Sequence, residues 1–165
     1  MTTATNEMQT VRQMLALKRA IDQRLNPLVR RATNLVTNSQ IAATSNKMQK
    51  NQFDNVLAVA TETGSVEVVK NFIRYQIGRK DDRGWRDGGF GLGLVGEIDG
   101  WLAEQAQEIG RAQEGVDADV AWIELVRLYI GYLRRDWVFQ RSIASTGSTT
   151  PALATPPAAA KEQQP

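Results

Sequence analysis

The sequence predicts an all-α fold, a compact bundle of about five to six helices. Three observations predict it. Apolar residues recur three and four apart, and no segment sustains strand-like alternation. Glycine, proline and capping residues punctuate the chain at helix-sized intervals. The bundle is expected over residues 7–141, between a flexible N-terminus at 1–6 and a disordered Pro/Ala/Ser/Thr-rich tail at 142–165.

The first helix is expected over residues 7–25, with Val11, Met14, Leu15, Lys18, Ile21 and Leu25 in a stripe. Asn26-Pro27 should end it, since proline disfavours the helical state of the residue before it. Pro27 can then open a short helix to Val36. Thr37, Asn38 and Ser39 are candidate caps for a third helical region over 40–61, with a break possible near Ser45 and Asn46. Gly64-Ser65 reads as a stop followed by an N-cap. The next helix, 66–77, should bury Val66, Val69, Phe72, Ile73 and Ile77 and end at Gly78.

Residues 79–93 read as a glycine-rich loop and 94–109 as a helix ended by Gly110. Asp117 or Asp119 should cap the last and most apolar helix, which runs to about Gln140. Its seam is Ile123, Val126, Ile130, Leu133 and Trp137, widened by Trp122, Leu125, Tyr129 and Tyr132. Gly131 sits inside it, where glycine costs about 1 kcal/mol relative to alanine. Close approach of another backbone, a helix or a nucleic acid strand, would compensate.

Composition narrows the chemistry. The chain has no cysteine and no histidine, which removes disulfides, thiolate metal sites and every Ser-His or Cys-His arrangement. No enzyme activity, cofactor or metal is therefore expected. No apolar run approaches the ~20 residues that span a bilayer, and the polar start lacks the apolar segment of a signal peptide. The expected location is the cytoplasm, with no membrane partner. Charge is segregated: residues 1–86 carry +7, 87–126 carry −8, and 127–165 carry +3. Such segregation suits a polyanion partner or contact between copies, or else the segments neutralise each other inside the fold.

Gly91-Leu92-Gly93-Leu94-Val95-Gly96 matches GxGxxG, but no strand is expected before it, which argues against a dinucleotide site. Glu97, Glu104 and Glu108, spaced seven and four apart, should share one helix face. Three carboxylates could hold Mg²⁺, face solvent, or meet a basic partner surface. Lys47, Lys50, Lys70, Arg74 and Arg79 form one candidate basic patch, and Arg127, Arg134 and Arg135 a second. Phe53, Tyr75, Trp85, Phe90, Tyr132 and Trp137 lie among these charges, where aromatic faces could stack on bases or simply build the core.

Two stretches carry a resemblance. Lys50-Asn51-Gln52-Phe53-Asp54-Asn55-Val56 is followed by Phe72-Ile73-Arg74-Tyr75-Gln76-Ile77-Gly78-Arg79, and the last helix holds Leu128-Tyr129-Ile130-Gly131-Tyr132. Over residues 37–140 the chain resembles the small helical subunit of type III CRISPR effector complexes, although Asp54 stands where that family often has a basic residue. The resemblance implies a non-catalytic, RNA-binding subunit of an antiviral ribonucleoprotein. Several copies would stack along guide and target RNA and bridge the backbone and large subunits. On this reading Lys47, Lys50, Asn51, Gln52, Lys70, Arg74, Arg79, Arg127, Arg134 and Arg135 meet RNA. Glu97, Glu104 and Glu108 meet the next copy. The alternative is a protein-only helical adaptor.

Overall fold

The structure, a computed structural model, describes residues 2–147. Among them helices are the sole regular secondary structure. The order is α1 (Thr2–Asp22), α2 (Leu25–Ser39), α3 (Ile41–Thr44), α4 (Lys50–Glu62), α5 (Val66–Gly78), α6 (Phe90–Glu97), α7 (Ala103–Ala112) and α8 (Ala118–Thr146). A 3-10 turn at Asp87–Gly89 leads into α6, and a π-helical turn at Ile98–Leu102 joins α6 to α7.

The last helix is the axis of the bundle. Its 29 residues span roughly 43 Å at 1.5 Å per residue. It packs against α2, α3, α4 and α7 and touches α5 and α1. The expected seam is buried: Ile123, Val126, Ile130, Leu133 and Trp137 face inward, with Leu125 and Tyr129 behind them. Asp117 caps its start by accepting from the Asp119 amide at 2.8 Å. The helix extends past Gln140 to Thr146, so Ser142 lies within it rather than opening the tail. The remaining tail, 148–165, is outside the described residues.

Several boundaries differ from expectation. α1 begins at Thr2, and it ends at Asp22 rather than at Asn26-Pro27. Pro27 sits in the first turn of α2, where its missing N–H would have had no helical partner. Thr37 and Asn38 do not cap a following helix but complete α2, and the Ser39 hydroxyl donates back to Leu35 O at 2.7 Å. Gln40, at φ 53°, takes the left-handed conformation that separates α2 from α3. The break after Ser45 and the stop at Gly64-Ser65 fall as read.

The stripe on α1 divides in two. Ala20 and Ile21 enter the core, whereas Met8, Val11, Met14 and Leu15 are at least half exposed. The first turns of α1 therefore project from the bundle with an uncovered apolar face.

The GxGxxG segment is helix α6, not a loop, and no strand precedes it among the described residues. Gly91 serves packing: a Cβ there would lie 2.7 Å from Trp85 O and from an Ile77 side-chain carbon, whereas Gly96 faces open space. Just before it, Gly88 adopts φ +58°, and a Cβ there would sit 1.9 Å from Ser39 O. The turn thus lies directly on the end of α2. Phe53, Trp85, Phe90 and Trp137 lock α4, this loop, α6 and α8 together, with neighbouring ring centroids 5.6–6.4 Å apart. Four of the six aromatics noted among the charges therefore belong to the core.

Candidate nucleic-acid interface

The start of α4, the end of α5 and the loop after it meet at one surface. Gln52 and Asn55 from α4, Phe72, Gln76 and Arg79 from α5, and Arg83 and Trp85 from the loop line a shared recess. The two motif segments, twenty residues apart in the chain, are brought together there.

Asp82 organises the cations around it. Its carboxylate is 3% exposed and accepts from the Arg86 amide at 2.9 Å. The Arg86 guanidinium lies 3.3 Å away, and the Lys47 ammonium 3.6 Å away. Burial pushes the Asp82 pKa up, but the hydrogen bonds from Arg86 and the charges of Arg86 and Lys47 outweigh it and hold the pKa below the usual carboxylate value. Arg86 also donates to Arg79 O at 3.4 Å, and Arg79 donates to Gln76 Oε1 at 3.0 Å. The side chains of Lys47, Arg83 and Arg86 are about half exposed or more. Lys47 and Arg86 thus flank the buried Asp82, the half-buried Arg79 joins them through Arg86, and Arg83 pairs at 3.7 Å with the exposed Asp81 next to it. Clustered, solvent-facing cations are suited to phosphate.

Arg83 and Arg86 were missed by the sequence reading. They lie in a loop, where no periodicity assigns a side to a residue. Arg83 at φ 51° is a local backbone exception that sequence does not announce.

Other expected residues are committed elsewhere. Lys70 is 5% exposed, forms ion pairs with Glu67 and Asp99, and lies 5.5 Å from the Trp122 ring centroid. Burial pushes its pKa down, but the two carboxylates more than reverse this and raise it. It is a satisfied buried cation, with no free ammonium for a phosphate. Its position, four after Val66 and three before Ile73, already lay on the buried face of α5. Arg74 stays exposed, 3.7 Å from Asp99. Gln52 is buried, and its side chain accepts from the Gln49 amide at 2.8 Å at the start of α4. Asn51 beside it faces solvent.

The second basic patch separates into structural parts. Arg127 donates to Ala60 O at 2.7 Å and Thr63 O at 3.0 Å, closing the C-terminus of α4, and is paired with Glu124. Arg134 and Lys50 both pair with Asp54, whose pKa is lowered by the Lys50 hydrogen bond first and by Arg134. Asp54, the departure from the family pattern, is thus a clamp between α4 and α8. Arg135 is exposed, with its guanidinium 5.6 Å from the Tyr132 ring centroid.

Part of the acidic segment is neutralised within the fold, at Glu97, Asp99, Glu108 and Glu124. Arg31 of α2 grips Glu97 with bonds of 2.7 and 3.0 Å and lies over Trp101. Arg24 bonds Gln105 at 2.9 Å and reaches Glu108 at 3.5 Å. Between Glu97 and Glu104 lies the π-helical turn, which takes more residues per turn than an α-helix, so seven residues fall short of two turns and do not return to the same face. Glu104 and Glu108 remain one turn apart and exposed. Among the described residues no group of three acidic side chains is placed to hold a metal.

No helix among the described residues is long and apolar enough to cross a membrane. No family model, no curated protein and no solved structure matches the chain.

Proposed function

We propose that this chain is a non-catalytic, RNA-binding small subunit of a type III CRISPR-like effector complex, acting in antiviral defence in the cytoplasm. It would lie along paired guide and target RNA and bridge the backbone and large subunits. One observation carries the reading. The Lys50–Val56 and Phe72–Arg79 segments, which hold the resemblance, converge beside the exposed cations Lys47, Arg83 and Arg86 and the half-buried Arg79, with Asp81 and Asp82 among them. Arg74, Lys50 and Asn51 lie on the same two helices and can extend the contact. The role of the cations is charge neutralisation on phosphates rather than base readout. In RNA-guided complexes base pairing reads sequence while protein holds backbone and shape. Of the three glutamates assigned to the next copy, Glu97 and Glu108 already answer Arg31 of α2 and Arg24 at its N-cap, so Glu104 is left for a neighbour.

Affinity purification of the tagged full chain from its own cells tests this. Co-purification with RNA of uniform short length and several larger proteins is the expected result. Arg83→Ala with Arg86→Ala should weaken RNA binding and flatten its salt dependence, since each lost phosphate contact removes counterion release. Recovery of protein partners with no RNA would refute the reading. It would favour a protein-only adaptor, for which the uncovered α1 face of Met8, Val11, Met14 and Leu15 is the supporting feature.

A further inference from the structure

Beyond phosphate contact, we infer that an unpaired RNA base stacks on the Tyr75–Arg79 pair at the end of α5. This rests on the RNA-binding reading above and adds a site for the base itself.

The fold sorts the aromatics. Phe53, Trp85, Phe90 and Trp137 are consumed by the core, and Tyr132 is half-buried on α8. Tyr75 is 61% exposed, as is Phe139 on α8. A single exposed aromatic is ordinary in itself. What distinguishes Tyr75 is its setting. Arg79, one helical turn on, places its guanidinium 5.7 Å from the Tyr75 ring centroid. Arg79 is held in turn by Gln76, and the carbonyl of Arg79 receives Arg86. The ring is thus flanked by a fixed planar cation at the edge of the cationic face, rather than waving free.

With the Arg79 guanidinium over one face of the ring, the rest of the exposed ring gives an apolar surface for a base, with phosphate-binding charge next to it. Stacking of this kind accepts any base, because every base offers a π-face. Gln76 and Asn55, at the rim of the recess, can bond to base edges without selecting one. The recess holds only about 30 Å³, room for a water but not for a base. The base must therefore lie on the outer surface, where Tyr75 is. Paired bases within a duplex have their faces covered, so the ligand is a single-stranded stretch or an extruded nucleotide.

The experiment measures binding of the full chain to labelled oligouridine, to the same strand with abasic sugars throughout, and to an RNA duplex. Tyr75→Ala should weaken oligouridine binding by about tenfold, within the range for loss of one base–aromatic stack. The salt dependence should stay unchanged, since no phosphate contact is removed. Tyr75→Phe should bind as the parent does, and Tyr75→Ala should leave abasic-strand binding unaltered. Equal losses on the abasic strand, or no loss on oligouridine, would overturn the stacking site. If Arg83→Ala/Arg86→Ala weakens binding while Tyr75→Ala does not, the stacking site alone falls. If the parent chain binds none of the three probes, the RNA-binding reading falls with it.

Discussion

Arg127→Ala separates a structural arginine from an RNA-binding one. Arg127 Nε donates to Ala60 O at 2.7 Å, and Nη2 donates to Thr63 O at 3.0 Å. These carbonyls end α4, where no further helical amide exists to reach them. Ala60 is fully buried, so removing its donor leaves a carbonyl that water does not replace. A bond from a charged donor contributes about 1.5–3 kcal/mol, and the half-buried Thr63 carbonyl can turn partly to solvent. Loss of both should destabilise the protein by about 2–3 kcal/mol, a large share of the ~5–15 kcal/mol typical of a domain. For a chain of this length that lowers Tm by about 4–12 °C. Urea unfolding followed by circular dichroism would show a lower midpoint with an unchanged slope. Arg127→Lys should recover part of the loss, since one ammonium can reach one carbonyl. RNA affinity of the folded variant should be unaltered. A stability change below about 0.5 kcal/mol, the range of ordinary surface substitutions, joined to a clear loss of RNA affinity, would refute the argument.

Gly131→Ala should stabilise the chain by about 0.5–1 kcal/mol in urea unfolding, because a Cβ at Gly131 meets open space and alanine is the better helix former. Of the two backbones expected to approach Gly131, no helix does so, and destabilisation would reveal a contact across that face. Gly88→Ala should be severely destabilising, by about 3 kcal/mol or more on the same assay, since a Cβ would collide with Ser39 O at 1.9 Å and φ is +58°. For Asp82, a folded pKa held below the unfolded one means that its stabilisation is complete above about pH 4 and is lost as pH falls through the lowered value. Asp82→Asn should therefore be less stable than the parent at neutral pH and shallower in its stability–pH curve below about pH 4, with curves that converge in acid.

The parts of the fold that sequence revealed are those set by local pattern. The α8 seam is dense enough, and Asp117 a good enough cap, that the helix could be placed without its neighbours. The Gly64-Ser65 boundary is likewise a local signal. α6 was obscured because Gly91, Gly93 and Gly96 each oppose a helix by about 1 kcal/mol, and it forms because packing of Gly91 against Ile77 and Trp85 outweighs propensity. The π-helical turn, which undid the shared face of Glu97 with Glu104, leaves no spacing signature.

The candidate site was half legible. Arg79 and Lys47 could be picked out by residue type. Whether Arg127 faced solvent or a helix end depended on Thr63, which is 64 positions away. Arg135 and Arg127 lie on the same helix and look alike in sequence, yet one is exposed and the other seals α4. Charge segregation was readable, but its partner was not. Glu97 and Glu108 of the acidic run answer Arg31 of α2 and Arg24 at its N-cap, a pairing that only the antiparallel meeting of distant helices supplies.

The central place of α8 bears on how the protein comes off the ribosome. The helix against which α2, α3, α4 and α7 all pack is the last of the eight to be synthesised. At roughly 5–20 residues per second its 29 residues take on the order of seconds to make. During that interval the apolar faces of the earlier helices have no axis to close upon. The nascent chain should stay loosely structured and open to chaperones until α8 emerges, and then collapse in one step instead of assembling helix by helix.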